Sequence, residues 1–242
     1  MRTTEAAWDD QAGNWLAWAR TPGHDSYWYY RDCFFDAIVP PPGRRTVEVG
    51  CGEGRVCRDL RARGHDVLGL DASAAMVAHA AGADPGGRYL VADAAALPLA
   101  DGCADLVVTY NSLMDVSDMA AAVAEAGRVL APGGRLCACV THPMAEAGSF
   151  QGKAPDAPFV VSGDYLAGGR SDDSFERDGL RITFSSHRYP LERYAGALEA
   201  AGLLIERIRE PRAPDAMVAA RPSVARWRRV PNFLHLRALK RG

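Results

Sequence analysis

The stretch Thr46-Val47-Glu48-Val49-Gly50-Cys51-Gly52-Glu53-Gly54-Arg55 decides the fold. A short apolar strand runs into a turn with glycine at every second position, Gly50, Gly52 and Gly54. Glycine lets backbone pass where a Cβ would collide with a ligand. A helix begins directly after the turn, so its unpaired N–H groups face the same point. Strand, glycine turn and helix in this order open a βα unit built to hold a nucleotide-like ligand.

Outward from this turn the chain alternates strand and helix. Strands are expected at 45–49, 65–71, 88–91, 104–110 and 135–140, and helices at 55–63, 73–81 and 118–130. Gly64, Gly82 and the run Pro132-Gly133-Gly134 mark the helix ends. Near-continuous apolar strands separated by helices make a parallel sheet covered on both faces, doubly wound by right-handed crossovers. Residues 141–180 break the rhythm with Gly, Pro, Ser and Asp, as functional or mobile inserts do. A strand at 180–187, a helix at 191–201 stopped by Gly202, and strands at 203–209 and 233–239 then restore it. On the other side of the turn, residues 1–38 are rich in aromatics, and Tyr27, Tyr30 and Phe34 share one helical face. Such a helix packs on the main domain, or serves as a lid walling a pocket, and the two roles are compatible. Pro40, Pro41, Pro42 and Gly43 punctuate the boundary. The expected division is an N-terminal helical lid at 1–40 and an α/β domain at 41–242, with a substrate-side insert at 141–188.

The 242 residues suffice for one large α/β domain. A net charge of −2 sets up no field that calls for nucleic acid or an anionic membrane. Arg221, Arg226, Arg228 and Arg229 form the one cluster hinting at nucleic acid, and without a basic aromatic stripe a solvated surface is favoured. Cys33, Cys51, Cys57, Cys103, Cys137 and Cys139 form no CxxC pair and meet no histidine at metal spacing. Buried reduced thiols are expected, and no metal. The acidic start MRTTEAAWDD lacks an apolar h-region, and no apolar run approaches the ~18 residues of a membrane span. The expectation is a cytoplasmic protein without membrane contact.

In a doubly wound sheet, ligands bind past the carboxyl ends of the strands. Three features converge there. One is the glycine turn. Asp71, at the end of the second strand, is placed to accept from ribose hydroxyls. Asp93, just past the third, is placed to accept from an exocyclic amine such as that of adenine. A dinucleotide turn would read G-x-G-x-x-G. Here the third glycine comes one residue early, and Glu48 would repel a pyrophosphate. A sulfonium amino acid, with a positive sulfur, an ammonium and no phosphate, suits this environment.

The pattern E-x-G-x-G-x-G at Glu48–Gly54 resembles motif I of the class I S-adenosylmethionine-dependent methyltransferases of the small-molecule type, with domains similar to methyltransferase types 11 and 25. Asp71 matches the family's ribose-binding acid, and Asp93 in VADAAALP its adenine-contacting acid. ADLVVTYNSLMDV at 104–116 resembles the fourth-strand motif, and RVLAPGGRL at 128–136 the loop before the fifth strand. Trp8-Asp9-x-x-Ala12-x-x-Trp15 is similar to the YDxxAxxY signature, with tryptophan replacing both tyrosines. The resemblance covers residues 8 to 140. It implies a mostly parallel seven-stranded sheet, in the order third, second, first, fourth, fifth, seventh, sixth, with the seventh antiparallel. It also implies S-adenosyl-L-methionine as cofactor and S-adenosyl-L-homocysteine as product. The cofactor site it implies holds Glu48, Gly50, Cys51, Gly52, Asp71 and Ala72. Met76, Asp93, Ala94, Trp15 and Arg20 complete it, and Asn111 lines the methionine end.

On this resemblance the reaction is an in-line displacement, in which the protein aligns donor and acceptor and excludes water. A general base is needed only where the nucleophile holds its proton. His142, just past the fifth strand, is the first candidate, His187 the second and His24 the third. The competing role for each is a hydrogen-bonded structural histidine. Asp115 is a further candidate, or a helix-start residue. The acceptor is expected to meet His24, Tyr27, Tyr30, Asp115 and His142. The Asn111-Ser112-Leu113-Met114 loop lacks the N-P-P-Y pattern of amino-methylating DNA enzymes. The aromatic N-terminus and the insert suggest a closed, largely apolar pocket. The expected function is methyl transfer to an O, N or C nucleophile of a small molecule, a secondary metabolite foremost. Two rivals are an RNA methyltransferase and a protein that keeps the fold without methyl transfer, a cyclase-type catalyst or binding module. A homodimer is left open.

Overall fold

The computed structural model describes residues 4–43 and 45–242. Residues 1–3 of the expected lid and Arg44 lie outside the described residues, as do the side chains of residues 4–7. In chain order, α1 (Thr4–Arg20) and α2 (Tyr27–Ala37) precede β1 (Thr46–Val49). Then α3 (Arg55–Ala62), β2 (Val67–Asp71), α4 (Ala74–Ala83), β3 (Arg88–Val91), β4 (Ala104–Tyr110), α5 (Met119–Val129) and β5 (Leu130–Thr141) follow. A short α6 (Pro143–Glu146) leads to two hairpins, β6 (Gly148–Phe150) with β7 (Phe159–Val161), and β8 (Gly169–Arg177) with β9 (Leu180–Arg188). The chain closes with α7 (Leu191–Ala200), β10 (Leu203–Arg209), α8 (Asp215–Ala220), a 3-10 helix (Pro222–Arg228) and β11 (Phe233–Lys240).

The seven-stranded sheet runs β10-β11-β5-β4-β1-β2-β3. The strands from β5 to β3 are parallel, and β11 is antiparallel to both its neighbours. This is the expected order with its one reversed strand. All four residues of β1 are buried, as a central parallel strand requires. Successive residues point to opposite faces, and two cores result. Leu234, Leu236 and Ala238 of β11 join Val47, Val123 of α5 and Leu198 of α7 on one face. Phe233 joins Val108, Cys139, Phe34 of α2 and Leu60 of α3 on the other. Burying a side chain such as Phe34 or Leu60, each 0% exposed, contributes roughly 1.5–3 kcal/mol.

The two N-terminal helices part company. The Tyr27–Tyr30–Phe34 face of α2 packs under the sheet, edge-to-face on Tyr110 at 5.2 Å, Phe233 at 5.0 Å and Tyr110 at 5.0 Å respectively. α1 alone lies against the insert, where Trp8 and Trp15 meet Phe184 of β9 at 6.1 and 5.9 Å. Two local expectations shift. α4 runs through Gly82, which is not in the left-handed region, to Ala83, and the break comes at Asp84, before Pro85. The strand at 180–187 is present as β9, but its partner is β8, inside the region expected to be irregular.

Candidate functional site

The glycine turn is fixed by its neighbours. Gly50 and Cys51 donate their backbone N–H groups to the carbonyl of Leu70 at 2.8 and 2.9 Å, bending the chain across the end of β2. Gly50, Gly52 and Gly54 have φ of +75°, +53° and +82°, the left-handed region. A Cβ on Gly50 would stand 2.3 Å from the Cβ of Ser112, whose hydroxyl donates to the Val49 carbonyl at 2.9 Å. One on Gly52 would meet only the Trp15 indole nitrogen at 3.8 Å. Gly50→Ala is therefore expected to cost about 2–4 kcal/mol in chemical denaturation. Gly52→Ala should cost only the left-handed backbone term, about 1–2 kcal/mol.

Asp71 is tied to this turn. Its Oδ2 accepts from Gly52 N–H at 2.7 Å and its Oδ1 from Ser73 N–H at 2.9 Å. Burial holds its pKa above the ordinary carboxylate value against those two bonds. Ser73 caps α4 through its hydroxyl, which accepts from Met76 N–H at 3.1 Å and donates to Asp9 of α1 at 2.5 Å. So α1 is fastened beside Asp71, and Trp15 overhangs Gly52. Cys51 and Met76 are buried, Ala94 nearly so, and Ala72 is partly exposed. Asp93 is exposed beyond β3, its Oδ1 accepting from Ala95 N–H at 2.8 Å. Asn111 ends β4 at φ +51°, which asparagine tolerates better than most residues. Its backbone N–H donates to the Cys139 carbonyl at 2.8 Å. Topology thus places Glu48, Gly50, Cys51, Gly52, Asp71, Ala72, Asp93, Ala94 and Asn111 at the carboxyl ends of β1, β2, β3 and β4, while Trp15 and Arg20 lie on α1 and Met76 on α4.

Glu48 carries the chemistry of this cradle. It is 1% exposed, and its Oε2 has no hydrogen-bond partner among the described residues. Burial pushes its pKa up to about 8, with Cys57 and Arg55 opposing. An orphaned buried carboxylate oxygen beside a left-handed turn fits a ligand that brings an ammonium, and the donor set fits S-adenosylmethionine. Arg20, exposed, lies 3.7 Å from Glu53, which Arg58 already holds at 3.0 and 2.8 Å.

Arg55 belongs to the same place and the motif reading missed it. It pairs with Asp25, their side chains 10% and 9% exposed, and lies 4.9 Å from the Trp15 ring and 4.3 Å from the Tyr27 ring. The available signal was its sign, since a cation at the first position of a helix opposes the dipole.

The residues expected to meet the acceptor lie in different surroundings. Tyr27 and Tyr30 are each 1% exposed, and Tyr27 donates its hydroxyl to Asp59 at 2.6 Å. They are core residues rather than a pocket wall, because their helical face covers the sheet. His142 has both ring nitrogens engaged. Its Nδ1 accepts from Met144 N–H at 3.0 Å as the cap of α6, and its Nε2 meets Glu210 at 2.8 Å. Burial holds its pKa below the ordinary value, with Glu210 opposing. His24 packs edge-on against Trp18 at 4.9 Å and meets Asp178 at 3.5 Å, pinned by the tip of the β8–β9 hairpin. His187 stacks on Tyr189 at 5.8 Å, and its Nδ1 has no partner among the described residues. Asp115 accepts from Ser186 of β9 at 2.6 Å, and burial pushes its pKa up to about 7. Among the described residues, no group of three or more His, Cys, Asp or Glu side chains is placed to hold a metal, and no helix is long and apolar enough to cross a membrane.

Comparison with known proteins agrees with this geometry. Residues 47–138 match the family model described as methyltransferase domain. The chain is 38% identical over 114 residues to a demethylmenaquinone methyltransferase of Beutenbergia cavernae, a match covering 47% of each. It thus spans about half the length of that curated relative. It is 31% identical over 192 residues to a ubiquinone/menaquinone biosynthesis C-methyltransferase of Caulobacter vibrioides, covering 72% of this chain and 73% of the relative. The crystal structure of an S-adenosylmethionine dependent methyltransferase from Mesorhizobium loti superposes with a TM-score of 0.73 at 28% identity, over 88% of this chain and 98% of that one. The chain carries a methyltransferase domain and belongs to the S-adenosylmethionine-dependent methyltransferases, a family of enzymes.

Proposed function

We propose that the protein transfers a methyl group from S-adenosylmethionine to an O, N or C nucleophile of a small molecule. The observation that carries this reading is the buried Glu48 carboxyl, whose Oε2 has no hydrogen-bond partner among the described residues, beside the turn that Asp71 clamps. Asp71 would accept from the ribose hydroxyls and Asp93 from the adenine amine. Ala72, Met76 and Ala94 would floor the base. Glu48 would face the ammonium, and the backbone of Gly50, Cys51 and Gly52 would pass beneath. Arg20 and Asn111 would stand toward the methionine end. Trp15 and the aromatic contacts between α1 and β9 would exclude water, which strengthens every charge interaction inside. When bound, the cofactor supplies an electrophilic methyl on a sulfonium. The chain's own part is alignment.

Several observations favour a small acceptor. One curated relative is named for demethylmenaquinone and the other for ubiquinone/menaquinone biosynthesis. The N-terminal helix and the 141–188 insert meet over the strand ends and form a cap. The arginine cluster is engaged within the fold, with Arg228 on Asp215, Arg229 on the Ala157 carbonyl and Arg226 over Phe150, which weakens an RNA reading. A secondary metabolite remains our preferred acceptor class. All six cysteines are free, which suits a reducing cytoplasm.

Asp71→Ala tests the reading. S-adenosylhomocysteine should raise the melting temperature of the wild-type chain, and the substitution should remove most of that rise. An unchanged rise would show that the adenosine is held elsewhere.

A further inference from the structure

The loop that leaves β4 holds a second polar arrangement beside the glycine turn. Asn111 takes φ +51° there, a conformation that glycine adopts without strain and asparagine tolerates. Two groups of Cys139 on β5 hold it. The Cys139 carbonyl accepts from Asn111 N–H at 2.8 Å, and the Cys139 thiol donates to Asn111 Oδ1 at 3.3 Å. Cys139 is 0% exposed. Burial holds its thiol well above the ordinary range, so it keeps the proton that it donates. Asn111 itself is partly exposed, and its amide nitrogen makes no hydrogen bond among the described residues.

Distances place this amide beside the turn. The next residue, Ser112, donates its hydroxyl to the Val49 carbonyl at 2.9 Å, and its Cα lies 3.8 Å from where a Cβ on Gly50 would stand. The Asn111 Cα is therefore within about 8 Å of that point, since successive Cα atoms are about 3.8 Å apart.

The turn alone does not call for this residue. Glycine at 111 would make the same bend with less strain. What asparagine adds is an amide whose oxygen is committed inward. Only the oxygen accepts and only the nitrogen donates, so the thiol bond fixes which end of the amide is left over. The N–H₂ end is offered, a neutral donor just past β4. Glu48, whose buried carboxyl suits an ammonium, stands on β1, the strand paired with β4. An α-amino acid carries its ammonium and its carboxylate on one carbon. An acceptor on β1 and a donor just past β4 suit these two groups.

We propose that Cys139 is a positioning residue for the cofactor: its carbonyl and thiol hold Asn111 so that the amide N–H₂ donates to the carboxylate at the amino-acid end of S-adenosylmethionine. This rests on the methyl-transfer reading above. Cys139 touches no ligand and acts through Asn111. With the amino-acid end held by Glu48 and Asn111 and the ribose by Asp71, the sulfonium between them is fixed in place.

Two ligands that differ at the amino-acid end test this. S-adenosylhomocysteine carries that end, and methylthioadenosine keeps the adenosine and sulfur but has a methyl group in its place. Their affinities are measured by calorimetry in the wild type, Cys139→Ala, Cys139→Ser, Asn111→Gly and the double variant of Cys139→Ala with Asn111→Gly. S-adenosylhomocysteine affinity should fall about fivefold in Cys139→Ala and about tenfold in Asn111→Gly, and stay within about twofold in Cys139→Ser, whose hydroxyl still donates. The double variant should bind no more weakly than Asn111→Gly, because the thiol then has nothing to orient. Methylthioadenosine affinity should stay within about twofold throughout. Equal loss for both ligands, loss for neither, no rescue by Cys139→Ser, or a further loss in the double variant overturns the positioning role. Cys139→Val, similar in size and without a donor, replaces Cys139→Ala should that variant not fold. Failure of S-adenosylhomocysteine to bind the wild type instead overturns the methyl-transfer reading, and the positioning role with it.

Discussion

Arg55→Ala is expected to lower the unfolding free energy by about 3–5 kcal/mol, because it leaves Asp25 charged and buried without its partner. The two side chains are 10% and 9% exposed, so water replaces little of what is lost. The guanidinium also lies 4.9 Å from the ring of Trp15 and 4.3 Å from that of Tyr27, contacts worth about 0.5–2 kcal/mol each when desolvated. Asp25→Ala should cost a similar amount, since it strands the cation. The double replacement should cost clearly less than the sum, because neither charge is then left alone. Urea denaturation of the four proteins measures this. Additive losses would show that Arg55 and Asp25 act separately, and a loss under about 1 kcal/mol for Arg55→Ala would show a solvated pair.

Glu48→Gln should do the opposite to the ligand-free protein. The folded-state pKa of Glu48 is about 8 against an ordinary 4.5, so between those values the folded chain holds a proton that the unfolded chain has lost. Stability linked to this group is full below pH 4.5, falls as pH rises through the window, and is lost above about 8. A shift of this size corresponds to at most about 5 kcal/mol. The neutral amide escapes the penalty. Glu48→Gln should therefore melt higher than wild type at pH 9 and close to it at pH 5. At pH 9, where the wild-type group is ionised, the same change should strip about tenfold or more from S-adenosylhomocysteine affinity, since the amide offers the ammonium no charge. Lower stability of Glu48→Gln at pH 9 would show that Oε2 has a partner that compensates its burial.

What could be read from the sequence was local. The turn, Asp71 and Asp93 are encoded by glycine conformation and by spacing along successive strands, and Asp71 accepts from the turn at Gly52 while Asp93 stands exposed past β3. The strand order followed from resemblance rather than periodicity. What could not be read was pairing across distance. His142 stands where a base would stand, but its Nε2 partner, Glu210, is 68 residues away and no pattern announces it. Asp25, in the loop between α1 and α2, and Arg55, at the start of α3, are 30 apart. Tyr27 and Tyr30 showed that a helix had an aromatic face, but periodicity does not say whether a face meets sheet or ligand. β8 escaped notice because most of Gly169–Arg177 is polar and exposed, so it has no apolar side to mark it as a strand. Its partner β9 supplies the buried residue, Ile182.

The most direct test is a pair of calorimetric titrations of the unmodified chain, one with S-adenosylhomocysteine and one with NAD. The structure leads us to expect saturable binding of S-adenosylhomocysteine at one site per chain, and no heat of binding with NAD. Binding of NAD, with none of S-adenosylhomocysteine, would contradict the assignment of the glycine turn, Glu48 and Asp71 to a sulfonium nucleoside.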